Sequence, residues 1–153
     1  ERVRCCPSEI LRYRLQWIKS QLDEAGIHPV AELAEKTLLN VDPFRLGQVF
    51  TVLLENALRY AGSGTSLYLS SRSTDGHYEI IFQDKGPGVP PAFLEVMFER
   101  FTRGEASRAR HSGGSGLGLS IARAICQAHG GTLDATLPPE GGLRMRIVLP
   151  HDA

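Results

Sequence analysis

Gly113-Gly114-Ser115-Gly116-Leu117-Gly118 opens a helix that runs on to His129 and is closed by Gly130-Gly131. Repeated glycines directly before a helix leave backbone N–H groups uncovered at the positive end of the helix dipole. That arrangement holds a phosphate without a lysine. A flexible linker is the other use of such a stretch, but a linker has no reason to run at once into a strongly apolar helix. No Gly-Lys-Ser/Thr ending follows, so this is not a Walker loop, and Leu119 stands where a GxGxxG dinucleotide pattern needs its last glycine. The spacing predicts an anion cradle of another kind.

Two further segments precede it. Asp84-Lys85-Gly86-Pro87-Gly88 ends a strand-like run, 77–84, in which Tyr78, Ile80 and Phe82 alternate. Two glycines around a proline permit positive φ and close backbone approach, which leaves Asp84 at the strand end to accept a hydrogen bond from an exocyclic amine such as adenine N6. A plain tight turn accounts for the same residues equally well. Earlier still, Asp42 as a cap and Pro43 in the first turn predict a helix running to about Ala61, with Leu46, Val49, Phe50, Leu53, Ala57 and Leu58 as its core stripe. On that helix Asn56, Arg59 and Tyr60 fall at i, i+3 and i+4 and share a face. Asn gains little inside a helix unless its amide oxygen meets a partner; here it suits a hard Mg²⁺ ligand, with Arg59 near phosphate. An exposed polar helix face is the alternative.

Between the second and third segments, Phe98 and Phe101 at i and i+3 are placed to anchor a lid, and Arg103 to swing toward a γ-phosphate. A buried aromatic pair with solvated arginines reads the same residues. Residues 102–115 carry almost no large apolar side chain and are expected as a mobile loop or lid. Elsewhere the pattern predicts a helix over 8–25, a weak hairpin from 27–33 and 37–41, paired strands 65–73 and 77–84, a short helix near 92–98, and a closing hairpin of 132–137 and 143–149. In that last strand Arg144 and Arg146 are expected on a solvated face. His129, beside Gly130, reads as a helix C-terminal residue, and none of the five histidines has a phosphoacceptor context. Six strands grouped as hairpins with three main helices between them give an α/β (α+β) two-layer sandwich with a mixed, largely antiparallel sheet.

The 153 residues suit one domain over 1–153, with 1–7 expected as residual linker. Seventeen basic and 17 acidic side chains cancel, and no basic stripe is interleaved with aromatics, so no nucleic-acid partner is expected. Three cysteines without CxxC spacing indicate neither a disulfide framework nor a zinc site, and a cytoplasmic setting is expected. No apolar run is long enough to span a bilayer.

Four ordered segments together resemble the boxes of the ATP-binding catalytic domain of bacterial sensor histidine kinases, in the GHKL class with gyrase-type ATPases. Leu53-Leu-Glu-Asn56-Ala-Leu-Arg-Tyr60 looks like the N box, Asp84 to Gly88 the G1 box, Phe98-Glu-Arg-Phe101 the F box, and Gly114 to Leu119 the G2 box. The resemblance covers nearly the whole chain and implies a Bergerat-type fold that binds ATP and Mg²⁺. It implies that Asn56 holds the metal, Arg59 and Arg103 contact phosphates, Tyr60 lines the pocket and Asp84 reads adenine. Gly86 and Gly88 would admit the base, with Val89 and Phe101 beside it. Gly114, Gly116 and Gly118 would form the lid hinge, with Ser115, Leu117 and Leu119 among the nucleotide-binding residues. Glu55 is carried as a general base or as an orienter of metal-bound water. One position departs: Val52 stands where family members often carry a second Asn, and it offers no ligand atom.

The resemblance further implies transfer of the γ-phosphoryl group to a histidine on a separate dimerisation and phosphotransfer domain of the same parent, with a response regulator downstream. The parent would be a homodimer in the inner membrane, and this domain alone a cytoplasmic monomer. A GHKL ATPase or serine-kinase switch using Glu55, or a non-catalytic nucleotide-sensing module, are the competing readings.

Overall fold

A computed structural model describes residues 1–34, 36–99 and 118–151. In chain order its elements are β1 (Val3–Cys5), α1 (Pro7–Glu24), β2 (Ile27–Glu32), β3 (Leu39–Val41), α2 (Pro43–Tyr60), β4 (Thr65–Thr74), β5 (His77–Asp84), α3 (Pro91–Leu94), α4 (Gly118–Ala128), β6 (Thr132–Thr136) and β7 (Arg144–Pro150). Five strands form one sheet in the order β2-β4-β5-β7-β6, parallel only between β2 and β4. The α/β two-layer sandwich and its mixed, largely antiparallel sheet are therefore as expected.

The period-2 alternation of the strands explains which face is covered. Leu67 and Leu69 of β4, Tyr78, Ile80 and Phe82 of β5, Leu133 of β6, and Met145, Ile147 and Leu149 of β7 are all buried. Against them the helices turn Leu11, Ile18 and Leu22 of α1, Leu46, Phe50 and Leu53 of α2, and Ala122 and Ile125 of α4. Phe50 meets Phe82 across the layers with ring centroids 6.1 Å apart. The Tyr78 hydroxyl, buried in this layer, is satisfied. Ser8 Oγ donates its single proton to Ala34 O at 2.5 Å, so the Tyr78 hydroxyl donates to Ser8 Oγ at 2.9 Å.

The expected hairpin of 27–33 and 37–41 does not form. β2 joins the main sheet beside β4, whereas β3 pairs with β1, Val3 opposite Val41 and Cys5 opposite Leu39. Three of the seven residues expected as linker thus make a strand. Both runs bury apolar residues, Ile27 in the first and Leu39 and Val41 in the second, and each finds its partner far along the chain rather than in its neighbour.

The other sheet face carries the two arginines expected to be solvated. Each is engaged: Arg146 and Arg72 both donate through Nε to the buried Glu79 carboxylate, Arg72 at 2.8 Å, and Arg144 Nε donates to Gln83 Oε1 at 2.8 Å. Burial acts to raise the Glu79 pKa, but the hydrogen bonds from Arg146 and Arg72 outweigh it and hold the carboxyl below its usual value. A depressed folded pKa contributes stability that is present above the unfolded value and is lost as pH falls through the folded one. Glu79→Gln is accordingly expected to lower the melting temperature at pH 7 and to narrow its gap to the wild type in acid, as a pH series of thermal melts will read.

Candidate nucleotide-binding site

The α2 helix delivers the first group. Asp42 caps it, its Oδ1 accepting from Phe44 N at 3.0 Å and Arg45 N at 3.1 Å, and Pro43 sets the first turn. Further along, Asn56 is only 4% exposed, and its Oδ1 has no hydrogen-bond partner among the described residues. A buried amide oxygen left without a donor costs about 1–3 kcal/mol. Such an atom fits a hard cation, and the expectation of a polar solvent-facing residue does not fit it. Arg59 and Tyr60 are half-buried one turn on; the Arg59 guanidinium lies 5.9 Å from the Tyr60 ring centroid. The Tyr60 ring in turn meets Phe93 of α3 at 6.0 Å.

Asp84 ends β5 and is also 4% exposed. Its Oδ1 accepts from Gly86 N at 2.8 Å, closing the turn on itself. Burial pushes its pKa up, with the Gly86 and Leu143 backbone N–H groups pulling the other way. Desolvated at a strand end, this carboxylate is poised to accept a proton donor from a ligand.

Gly86 joins these two pieces. A Cβ placed on it would collide with the Ala61 carbonyl at the end of α2, so only glycine lets the Asp84 turn pack against the helix that carries Asn56. The second wall comes from the turn between β6 and β7. Asp84 N donates to Leu143 O at 3.2 Å, Gly142 has φ +85°, and a Cβ there would lie 2.9 Å from Asp84 Oδ1. Gly88, at φ +72°, packs on the Gly142 carbonyl, and Val89 beside it is buried. In the sequence the segment 138–142 is simply the turn of the closing hairpin, and its paired glycines are the signal that it does more.

At the start of α4, Gly118 lies over Val52, where a Cβ would sit 3.5 Å from Val52 Cγ1. Leu119 is half-buried against the core. The position without a ligand atom thus lies under the helix start. Phe98 is stacked by the Arg123 guanidinium at 4.1 Å, and Arg123 also donates to Leu133 O and Asp134 at 3.1 Å, a role the sequence did not suggest. Phe101, Arg103, Gly114, Ser115, Gly116 and Leu117, and with them the loop expected over 102–115, lie outside the described residues.

The structure does not bring Glu55 to this site. One residue along a helix is a rotation of about 100°. Glu55 is exposed in a groove of about 380 Å³ between α1 and α2, among Tyr13, Arg14, Trp17 and Thr51. Asn56 is therefore the one oxygen donor on this face of α2 that fits a metal, and no cluster of three or more His, Cys, Asp or Glu side chains occurs among the described residues. A small dication held by one protein oxygen and the phosphates of its nucleotide matches how Mg²⁺ is bound in phosphoryl-transfer sites. Among the described residues no helix is long and apolar enough to cross a membrane.

Residues 41–153 match the family described as histidine kinase-, DNA gyrase B-, and HSP90-like ATPase. The chain is 48% identical over 109 residues to the signal transduction histidine-protein kinase BaeS of Escherichia coli, covering 71% of this chain and 23% of that protein. It is 42% identical over 112 residues to the sensor histidine kinase component HK1 of Mycobacterium tuberculosis, covering 73% and 64%. The chain thus spans under two thirds of these relatives. In fold it is similar to the catalytic domain of histidine kinase ThkA, with a TM-score of 0.86 at 22% identity, covering 100% of this chain and 99% of that one. It is likewise similar to a mycobacterial sensor histidine kinase, MprB, with a TM-score of 0.81 at 29% identity, covering 98% and 97%. A family match over nearly three quarters of the chain, with sensor kinases among its relatives, shows that the chain belongs to the histidine kinase-, DNA gyrase B-, and HSP90-like ATPase family.

Proposed function

We propose that this domain binds Mg-ATP and presents its γ-phosphoryl group to a histidine on a separate helical phosphoacceptor domain of the same parent. The observation that carries this reading is the buried Asn56 oxygen without a partner, on a helix that packs directly against the turn of the desolvated Asp84. Asp84 accepts the exocyclic amine of adenine, Gly86 and Gly88 let the backbone approach the base, and Tyr60 and Val89 line its pocket. Asn56 would hold Mg²⁺, which when bound neutralises charge on the phosphates. Arg59 and Arg103 contact those phosphates, and the glycines from Gly114 to Gly118 cradle them.

Phosphoryl transfer of this kind asks the protein mainly for positioning and charge neutralisation. The acceptor imidazole attacks through its lone pair, the bond from the γ-phosphorus to ADP breaks, and the proton on the other ring nitrogen passes to water or to a base on the acceptor's own domain; Glu55, in the α1–α2 groove, is given no part in this step. ThkA is described in complex with a response regulator, and a regulator of that class is the downstream partner we assign here. The parent is taken as a membrane-bound homodimer, with this domain on its cytoplasmic side.

The test is to mix the chain with its phosphoacceptor domain and ATP labelled at the γ-position. Acid-labile, alkali-stable label on the acceptor is expected, and Glu55→Gln should leave its yield unchanged. Label on serine, or hydrolysis without any labelled acceptor, would contradict the proposal.

A further inference from the structure

We propose that His129 is a positioning residue for this site, a neutral imidazole that ties the end of α4 to the start of α2. The inference rests on the Mg-nucleotide reading above. His129 follows directly on α4 and is 7% exposed. Asp42 N lies 3.0 Å from His129 Nε2, and a backbone amide can only donate. Nε2 therefore carries the lone pair and Nδ1 the proton, which is donated to Ile125 O at 2.9 Å. Both ring nitrogens are used, and one tautomer satisfies both bonds.

The residue on the far side of this bond is the cap of α2, whose carboxylate is already engaged by Phe44 and Arg45. At the opposite end of the same helix pair, Gly118 lies over Val52. The run from Asp42 to Val52 and the length of α4 are both about 15 Å at 1.5 Å per residue. The two helices are thus joined at each end of their shared length. One end is a glycine facing the Val52 side chain, an apolar contact that has no fixed direction, and the other is a directed hydrogen bond. His129 consequently sets the axial register between the start of α4 at Gly118 and Asn56, one turn beyond Val52. Asp84 belongs to the sheet, and Tyr60 and Ala61 beside it lie at the far end of α2 from Asp42, so a shift of α4 along α2 leaves the base pocket in place.

That separation gives the experiment its readout. Adenosine, ADP and Mg-ADP are titrated calorimetrically into the 153-residue chain, and the ratio of Mg-ADP to adenosine affinity is compared between variants. His129→Phe keeps a ring of similar size but loses both bonds; His129→Gln restores an acceptor near the Nε2 position, and His129→Asn offers a donor near Nδ1 only. The Phe variant is expected to lower the ratio about tenfold, the scale of one neutral hydrogen bond, with adenosine affinity unchanged. Gln should recover the ratio. If the Phe variant does not fold, Gln and Asn carry the comparison, with Asn low and Gln near wild type. Equal ratios in all variants, or equal losses for adenosine and Mg-ADP, would overturn the tie. A wild type that gains nothing from Mg²⁺ would sink the functional reading, and this inference with it. A wild-type gain that His129→Phe retains would sink the tie alone.

Discussion

Asp84→Asn is expected to lower affinity for adenine nucleotides about a hundredfold and, at the same time, to raise the melting temperature of the ligand-free domain at pH 7. The loss follows from replacing a charged acceptor, whose hydrogen bonds are worth about 1.5–3 kcal/mol, by an amide that can turn a donor toward the donor on the base. The gain follows from the direction of the Asp84 pKa. Burial raises it in the folded state. A carboxyl with a raised folded pKa contributes most below its unfolded value, and that contribution disappears as pH rises through the folded one. At neutral pH the ionised carboxylate is therefore a net cost to the empty fold, and the isosteric amide removes it. The difference in melting temperature between variant and wild type should shrink to nothing in acid, where both side chains are neutral. A variant that melted lower than wild type at pH 7, or that bound ADP as well, would contradict the role given to this residue.

Gly86→Ala should be among the most damaging single methyl groups at the described glycines. Its Cβ would land on the Ala61 carbonyl, which is backbone at the end of α2 and has no rotamer to give way. Overpacking against side chains costs about 1–3 kcal/mol, and a backbone collision belongs at or beyond the top of that range. Nucleotide binding should be lost even where the fold survives, because relief of the clash requires the Asp84 turn and the Asn56 helix to move apart. Gly76→Ala supplies the control: Gly76 lies in a hairpin turn at φ +74° with open space around it, so strain without collision should cost less and leave binding intact. Urea denaturation with parallel ADP titration reads both.

The fold, the Asp84 turn and the helix carrying Asn56 are legible because their signals are local. Tyr78, Ile80 and Phe82 alternate, Asp42-Pro43 starts a helix, and glycines flank Pro87; each of these is decided within a few residues of chain. What failed was pairing. Two short β-tolerant runs, 27–33 and 37–41, announce strands without naming their partners, and the structure sends one to β4 and the other to β1. The same limit hid His129, whose acceptor nitrogen meets a donor 87 residues away, and Arg123, whose stacking on Phe98 has no periodicity to betray it. Glu55 shows the converse. Its place beside Asn56 in the sequence suggested a shared site, yet adjacent residues on a helix face different ways.

Asn56 and Asp84 are expected to hold two different parts of one Mg-nucleotide, which calorimetric titration of ADP with and without Mg²⁺ will read. The wild type is expected to bind ADP and to bind it more tightly with the metal. Asn56→Ala should retain metal-free affinity and lose the gain from Mg²⁺, whereas Asp84→Asn should lose affinity in both conditions by the same factor. A wild type that does not bind, or an Asn56→Ala variant that keeps the full gain from Mg²⁺, would contradict the account.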